Sequence, residues 1–374
     1  MPASPRAFRR VLRTGRAPLT SFGIPFGLSG LAGTWTMAAG VLGTPAGIGE
    51  ALWVFALVAW VAVLANYLVR SRNNGGTIRG DLADPVQAPF AALAPTTGML
   101  VGTHVAVSLS AGSGSGHPLT GPLQGSPAGL LVALVQGVVV GFLVVALAFG
   151  AWSVAQLALR MRDIDTLHAG YFLPTVAAAF IAGQSAGTFG WTTLSVACIG
   201  VGLLFWVLLG ALILGRMAFR PALPARLLPT FAIFSAPPAV AGNAWFASNG
   251  GRLDTLETVL LGTFVLLILV QVMMLAAYWR LGFDLGFWAF TFTAAASGTY
   301  ALHWIGGAAA PGAGTGSAVN LWASGDWVSA VAGTGILATV TLVIGSIAVR
   351  SVGYLVRAHA RSTHAPQARV CPMR

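Results

Sequence analysis

Long apolar runs, each about as long as a bilayer is thick, recur along the 374-residue chain with short polar stretches between them. The clearest runs occupy 51–69, 130–151, 194–214, 259–278 and 329–349. A helix of about 20 residues crosses about 30 Å of hydrocarbon, whereas strands of a membrane barrel alternate apolar and polar residues over about ten positions. These runs do not alternate, so the pattern predicts an all-α integral membrane protein.

The composition agrees with lipid as the main solvent. Charged residues make up 8% of the chain and the mean hydropathy is +0.81, whereas soluble domains carry about 25% charged residues. The sequence contains neither the G-x-x-x-x-G-K-[ST] loop that binds phosphates nor the H-E-x-x-H zinc motif. We therefore predict a protein that is not an enzyme, has no cofactor and does not bind nucleic acid.

Hydropathy and loop signals together predict ten spans. Numbered from the N-terminus, they form five successive pairs, each of one odd-numbered and one even-numbered span. They are placed at 21–42, 49–70, 85–109, 128–152, 170–187, 191–215, 226–248, 254–279, 284–306 and 327–350. This gives a basic N-terminal segment at 1–20, a channel domain at 21–350 and a basic tail at 351–374. The stretches 110–127 and 307–326, rich in glycine, serine, alanine and proline, are predicted to be flexible external loops.

The basic residues predict the orientation of these spans. The net charge is +11 and all basic residues other than histidine are arginines. If the N-terminus lies in the cytoplasm, every arginine except Arg252 falls on the cytoplasmic side of the ten-span arrangement. Arginine-rich loops stay on the cytoplasmic side of a membrane, so we expect both termini in the cytoplasm of a plasma-membrane protein.

Four prolines occur at matching places in the odd-numbered spans. Pro25, Pro89, Pro174 and Pro229 lie near the start of spans one, three, five and seven. Proline removes a backbone hydrogen bond and kinks a helix, and the freed carbonyl must face protein or water rather than lipid. The repetition therefore predicts kinked odd helices inside and straight even helices outside. The alternative is that glycine and proline are simply frequent in membrane helices.

Ionisable side chains are predicted to lie at the ends of the spans rather than deep within them. Glu50, Asp254, Glu257 and Asp326 are placed at the outer ends. Carriers that move protons or cations usually bury at least one such group. Their expected absence from the membrane interior favours passive flow of anions over a proton relay.

Two sets of polar side chains in the spans are candidates for chemistry. The hydroxyls of Thr34, Thr96, Thr97, Thr175 and Thr291 can donate hydrogen bonds to an anion, or can instead bond to their own helices. His104 and His303 could ligate haem or a metal, which would make the chain a membrane enzyme or haem protein, or could serve as polar contacts between helices.

Four motifs resemble a known family. They are Phe22-Gly-Ile-Pro-Phe-Gly-Leu, Ala83-Asp-Pro-Val-Gln followed by Pro95-Thr-Thr-Gly-Met-Leu-Val-Gly, Tyr171-Phe-Leu-Pro-Thr-Val-Ala-Ala, and Leu285-Gly-Phe-Trp-Ala-Phe-Thr-Phe-Thr-Ala-Ala-Ala. In this order they resemble the tellurite-resistance/dicarboxylate transporter family. That family includes bacterial TehA-type channels, fungal malic acid transport proteins and plant guard-cell slow anion channels. The resemblance runs from about residue 21 to residue 350.

The resemblance implies ten transmembrane helices, arranged as five quasi-symmetric hairpins around a central pore, in a homotrimer whose protomers each have a pore. It implies that a phenylalanine of the ninth helix plugs the pore, and the matching residue is Phe292. This residue follows Asp284 by eight positions, or about 12 Å along a helix. Around the plug, the residues expected to line the pore are Phe26, Phe90, Thr175, Phe231 and Thr291.

The resulting hypothesis is an anion channel or transporter for small anions or C4-dicarboxylates such as malate, with tellurite as a further transported anion. The first alternative is a proton-coupled C4-dicarboxylate carrier. The second is the haem- or metal-binding membrane enzyme that uses the two histidines.

Overall fold

The computed structural model describes residues 18–73, 78–112, 127–159, 163–308 and 327–363, and the regular secondary structure in these ranges is helical. The prediction of an all-α chain is confirmed for them. The predicted N-terminal segment up to residue 17, most of the loops at 110–127 and 307–326, and residues 364–374 of the tail lie outside the described residues.

The described ranges contain ten α-helices of at least 11 residues. They are α1 (Gly23–Leu42), α2 (Ala46–Asn73), α3 (Leu93–Gly112), α4 (Pro127–Leu159), α5 (Ala178–Thr188), α6 (Thr192–Phe219), α7 (Pro237–Asn249), α8 (Thr255–Trp279), α9 (Ala289–Ala308) and α10 (Trp327–Thr363). A shorter helix, Ile78–Ala83, lies between α2 and α3.

Six stretches of the described chain are long and apolar enough to cross a membrane. They are Ala46–Val69, Ala88–Ala111, Pro127–Leu159, Thr192–Phe219, Thr255–Trp279 and Trp327–Val356. They contain all five even-numbered helices and α3. The α-helical parts of α5 and α7 are only 11 and 13 residues long. The count of ten spans therefore stays a prediction.

A segment of 3₁₀-helical or π-helical turns precedes each odd-numbered helix. 3₁₀ segments occupy Leu19–Phe22, Ala88–Ala92, Leu228–Ser235 and Leu285–Trp288, and a π-helical turn occupies Leu173–Ala177. Three of the prolines expected to kink helices, Pro89, Pro174 and Pro229, lie in these segments, while Pro25 lies in the first turn of α1. Proline has no N–H to donate, so it fits positions where the α-helical ladder has not yet begun.

The odd-numbered helices form a closed inner ring. Going round it, α1 packs against α3, α3 against α5, α5 against α7, α7 against α9, and α9 against α1. Even helices cover the outside: α2 lies on α1 and α3, α6 on α5 and α7, and α10 on α9 and α1. Large exposed apolar side chains lie on these outer helices, including Phe55, Leu204 and Met273, as expected where lipid is the solvent.

Glycines allow the inner helices to approach each other closely. A Cβ on Gly27 of α1 would collide with Thr291 of α9. A Cβ on Gly187 of α5 would lie 2.9 Å from the backbone carbon of Ala247 and the backbone nitrogen of Ser248 in α7. A backbone neighbour cannot move aside as a flexible side chain can, so Gly187 fixes the distance between α5 and α7.

This contact predicts a stability change. Gly187→Ala should destabilise the protein by about 1–3 kcal/mol, because an overpacked helix crossing has to separate. Thermal unfolding of the purified protein in detergent measures the effect. Gly200→Ala on α6 is the matched control, since nothing lies within 4 Å of a Cβ there. Equal unfolding temperatures for the two variants would contradict the role given to Gly187.

Candidate functional site

A cavity of about 760 Å³ lies inside the ring of odd-numbered helices. We call it the vestibule, and we call the end of the molecule where Pro18, Asp84, Arg226 and Asp284 line it the vestibule side. Each odd-numbered helix, with the segment before it, contributes to its wall. The apolar residues that line it include Phe26, Leu93, Val176, Phe180, Ile233, Val240 and Phe292.

Two stacked phenylalanines lie in the wall of the vestibule. The rings of Phe26 on α1 and Phe292 on α9 have centroids 3.7 Å apart and planes inclined by 18°. Gly30, one turn along α1, makes room for this pair, because a Cβ there would lie 3.0 Å from Cδ2 of Phe292. On α9 the lining includes Thr293 but not Ala295 or Ala296, so the vestibule stops at about the level of the stack.

Charged groups are found at the rim of the vestibule. Asp84 accepts hydrogen bonds from the backbone nitrogens of Val86 (2.8 Å) and Gln87 (3.4 Å). Asp284 accepts one from the nitrogen of Gly286 at 2.7 Å. Both carboxylates thus cap turns at the starts of inner segments. Arg226 supplies positive charge to the same lining.

Threonine hydroxyls in the vestibule wall donate their protons to the backbone. The Thr230 hydroxyl donates to the carbonyl of Leu227 at 2.6 Å, and that of Thr166 to Asp163 at 2.7 Å. The Thr293 hydroxyl lies 3.3 Å from two carbonyls, those of Ala232 and Ala289. Each hydroxyl carries one proton, so these groups offer an incoming ion few free donors and the wall is effectively apolar.

The vestibule brings together three of the side chains that the sequence singled out. Phe26, Phe90 and Phe292 all line it.

The other three predicted lining residues lie elsewhere. Thr175 borders a small separate cavity between Trp152 of α4 and Leu209 of α6. Thr291 is fully buried; its hydroxyl donates to the carbonyl of Trp288 at 2.8 Å, and it faces Gly27. Phe231 stacks on Phe234 with centroids 5.5 Å apart. Successive helical residues point about 100° apart, so neighbours of these residues, Val176, Thr230 and Thr293, line the vestibule instead.

The remaining threonine candidates bond to the backbone. The hydroxyls of Thr96 and Thr97 donate to the carbonyls four residues earlier, at 2.6 and 2.7 Å. The Thr34 hydroxyl lies 3.1 Å from the Gly30 carbonyl and 3.0 Å from the Ala295 carbonyl across the α1–α9 contact. Thr34 thus joins α1 to α9, Thr96 and Thr97 bond within their own helical segment, and none of the three lines the vestibule.

The two histidines of the spans have different surroundings. His104 on α3 lies 3.0 Å from Oε2 of Glu50 and stacks on Trp53 with centroids 4.4 Å apart. His303 on α9 stacks on Phe246 with centroids 4.6 Å apart. Within the described ranges, no three His, Cys, Asp or Glu residues are grouped so that they could hold a metal ion.

His168 is a buried residue of the vestibule side that sequence reasoning missed. It is fully buried in the turn before the Ala169–Phe172 segment, where Nδ1 accepts a hydrogen bond from the nitrogen of Gly170 at 3.1 Å. Its ring stacks on Phe90 with centroids 6.0 Å apart. Burial, with the positive charge of Arg216 nearby, lowers the pKa of His168 from 6.5 to about 4. His168 therefore supports Phe90 as a neutral ring.

Glu257 is a second buried residue that was missed. The sequence Asp254-Thr-Leu-Glu257 has the spacing of a helix-capping pair, which normally leaves the glutamate at the surface. Asp254 does cap α8, accepting from the nitrogen of Glu257 at 3.0 Å. The side chain of Glu257, however, is 0% exposed and points inward to Tyr300 of α9. Its place in the first turn of α8 agrees with the predicted position at the end of a span, but the sequence did not indicate that the side chain is buried.

Comparison with known proteins matches this chain to a family over most of its length. The family described as voltage-dependent anion channel (SLAC1) matches residues 16–352. The chain is also 25% identical over 276 residues to the tellurite resistance protein TehA homolog of Haemophilus influenzae, which covers 74% of this chain and 77% of that protein.

The buried His168 predicts a pH-dependent stability. The pKa of His168 is about 4 in the folded protein and 6.5 when the side chain is exposed. Between these pH values the unfolded chain therefore binds more protons than the folded protein. Stability is therefore present above pH 6.5 and is lost as the pH falls, by up to about 1.4 kcal/mol per pH unit. Thermal unfolding in detergent across this window should show the loss, and His168→Phe should reduce the slope. The control His104→Gln should keep it; an unchanged slope in His168→Phe would refute the assignment.

Proposed function

Because this chain belongs to the voltage-dependent anion channel family, we propose that it conducts small anions across a membrane through a path that begins at the vestibule. The resemblance to the tellurite-resistance/dicarboxylate transporters, found first in four motifs, is confirmed at the level of the family. Transport of anions across a membrane is the function this family suggests.

The observation that carries the proposal is a closed ring of helices around a vestibule with a phenylalanine pair in its wall. An ion in the vestibule is surrounded on all sides by inner helices, and the Phe26–Phe292 stack lies where the lining stops. An apolar constriction of this kind blocks an ion by steric exclusion and dewetting. We propose that the stack is the closed gate and that conduction requires the two rings to separate.

The lining favours anions that lose their hydration water at low cost. The hydroxyls of Thr166, Thr230 and Thr293 in the lining are occupied by backbone carbonyls, so a strongly hydrated ion gains little from them in exchange for its water. A cavity of about 760 Å³ is large enough for a C4-dicarboxylate, but its two charges make dehydration more costly. We therefore propose small monovalent anions as the main substrates, with malate-like dicarboxylates and tellurite as slower ones.

We propose that the vestibule faces the cytoplasm. Arg216, Arg220, Arg226 and Arg280 lie at or next to the ends of helical segments on the vestibule side, and Arg252 lies in the α7–α8 turn at the opposite end. Arg350 of α10 lies over the ring of Phe283. By the positive-inside rule, this distribution supports the proposal that both termini lie in the cytoplasm of a multi-pass plasma-membrane protein. The homotrimer that the family resemblance implies belongs to the same proposal.

A proton-coupled C4-dicarboxylate carrier is the second candidate, and Glu257 is the observation that favours it. A buried carboxyl group in a membrane helix is typical of proton-coupled carriers. Glu257 is not part of the vestibule lining, which favours the channel. Anion flux into proteoliposomes that requires a pH gradient, and carries protons with it, would support the carrier instead.

Removing the gate should increase conduction. Stacked aromatic pairs contribute about 0.5–1.5 kcal/mol, so loss of the stack alone raises the open fraction up to about tenfold. We expect Phe292→Ala and Phe26→Ala each to increase flux of nitrate, chloride, malate and tellurite into proteoliposomes by about twofold to tenfold. Phe290→Ala is the matched control, because Phe290 contacts Tyr278 of α8 and is not in the vestibule lining. Flux that is unchanged or reduced in both gate variants would refute the gate.

Arg226 should attract anions to the vestibule. A charge about 4 Å from an ion in water contributes about 1 kcal/mol, equivalent to about fivefold in local concentration. We expect Arg226→Gln to reduce chloride conductance by about this factor at low salt, and by less at high salt where the charge is screened. Arg280→Gln is the control, since Arg280 is not in the lining. Equal conductance losses in the two variants would assign the effect to general surface charge.

A further inference from the structure

Glu257 has an environment unlike that of the other carboxyl groups in the described chain. It lies in the first turn of α8 and is 0% exposed. The hydroxyl of Tyr300 on α9 lies 2.9 Å from Oε2 and 3.1 Å from the backbone oxygen of Glu257. Among the residues that the structure describes, Oε1 is buried without a hydrogen-bond partner.

Among the described residues, the groups around this carboxyl bring no positive charge into contact with it. On its own helix the nearest charged group is Asp254, another carboxylate. From α7, Trp245 and Asn249 face Asp254 and donate to its Oδ2 at 2.7 and 3.2 Å. The nearby Arg252 is exposed and its Nε donates to the backbone oxygen of Asn249.

On α9 the neighbouring polar side chains are Tyr300, His303 and Trp304. Tyr300 contacts the carboxyl directly, His303 stacks on Phe246 of α7, and the ring of Trp304 lies edge-on to that of Tyr300 with centroids 6.3 Å apart. Apart from Glu257 and Asp254, His303 is thus the one described side chain of α7, α8 and α9 near this site whose ordinary pKa lies below that of tyrosine. It requires its own variant in any test.

An ionised carboxylate at this position would be unstable. Burying an unpaired charge costs several kcal/mol even after the surroundings relax, and a group so placed takes up a proton instead. A neutral carboxyl leaves only a weakly polar oxygen unpartnered, which costs much less. We propose that Glu257 is a proton-binding site, neutral in the conformation described here, and that its ligand is a proton from the solution next to the α7–α8 turn.

Asp254 gives this site a connection to solvent. It lies one turn before Glu257, at the junction of the exposed Gly250–Arg252 turn and α8. A proton crossing from that solution to Glu257 therefore has a short path past a carboxylate that is itself accessible.

Tyr300 connects the proton site to the gate helix. It is fully buried, it occupies the space left by the missing Cβ of Gly242 on α7, and it packs edge-on against Phe264 of α8 with centroids 5.3 Å apart. Phe292 lies eight residues before it on the same helix, about 12 Å along the axis. Loss of the proton leaves a charge that must be hydrated, which loosens α9 from α7 and α8. The effect on flux rests on the gate proposed above.

Two measurements test the site independently. The first is infrared absorption of the purified protein at neutral pH, where a protonated carboxylic acid has its own C=O stretch. We expect this band in the wild type, its loss in Glu257→Gln, and its retention in Glu50→Gln, the matched control at an exposed glutamate on the same side. A band that Glu257→Gln leaves unchanged, or no band in the wild type, would overturn the proposal whether or not the protein conducts anions.

The second measurement is chloride current in a planar bilayer, with the pH changed on one side at a time. In the wild type, current should rise when the pH is raised on the side of the α7–α8 turn. The rise should be up to about tenfold for each factor of ten by which opening lowers the affinity of Glu257 for a proton. Glu257→Gln should remove this dependence and stay at the low-pH level, while Glu50→Gln and His303→Gln keep it. A dependence that survives in Glu257→Gln, or disappears in His303→Gln, would overturn the site. Absence of any current, even in Phe292→Ala, would refute the proposed function while the infrared result still decides the proton site.

Discussion

The need to satisfy backbone hydrogen bonds away from water determines this architecture. Lipid offers no partner to a free N–H or carbonyl, so the segments with 3₁₀ or π turns belong in the interior of the protein. Each odd-numbered helix begins with such a segment, and these helices form the inner ring. The even-numbered helices have regular α-helical ladders and apolar faces, so they can meet lipid. The vestibule follows from this division, because irregular starts cannot pack as closely as regular helices.

Sequence reasoning identified the two helix classes because each has a strong signal. Uniform hydropathy identified the outer helices, and the repeated proline identified the inner segments. The aromatic residues Phe26, Phe90 and Phe292, which were predicted to line a pore, all border the vestibule, and large rings next to the prolines and in the family motif are distinctive. The predicted spans overlap the ten helices, but α5 and α7 begin at Ala178 and Pro237, eight and eleven residues after the predicted starts of their spans.

Finer features were missed for a geometric reason. A shift of one residue turns a side chain by about 100°, so Thr291 faces α1 while its neighbours Phe292 and Thr293 face the vestibule. Glu257 and His168 were missed because burial at the end of a helix depends on which neighbour covers it. Tyr300 covers Glu257 from a helix more than 40 positions later in the chain, and no local pattern in the sequence encodes that contact.

The contacts of α9 explain how a small change at one end can reach the stacked rings. On the α1 side, Gly27 and Gly30 let the two helices approach so closely that a sideways shift would cause collisions with Thr291 and Ala295 of α9. On the α7 side, α9 is held by polar contacts that can be broken, including the bond from Nδ2 of Asn243 to the Ala296 carbonyl at 3.0 Å. Helix α9 is therefore tightly packed on one side and held by polar bonds on the other. In the gate proposed above, α9 moves by breaking these polar bonds rather than its packing against α1, and Phe292 has to turn away from the ring of Phe26 for the pair to separate.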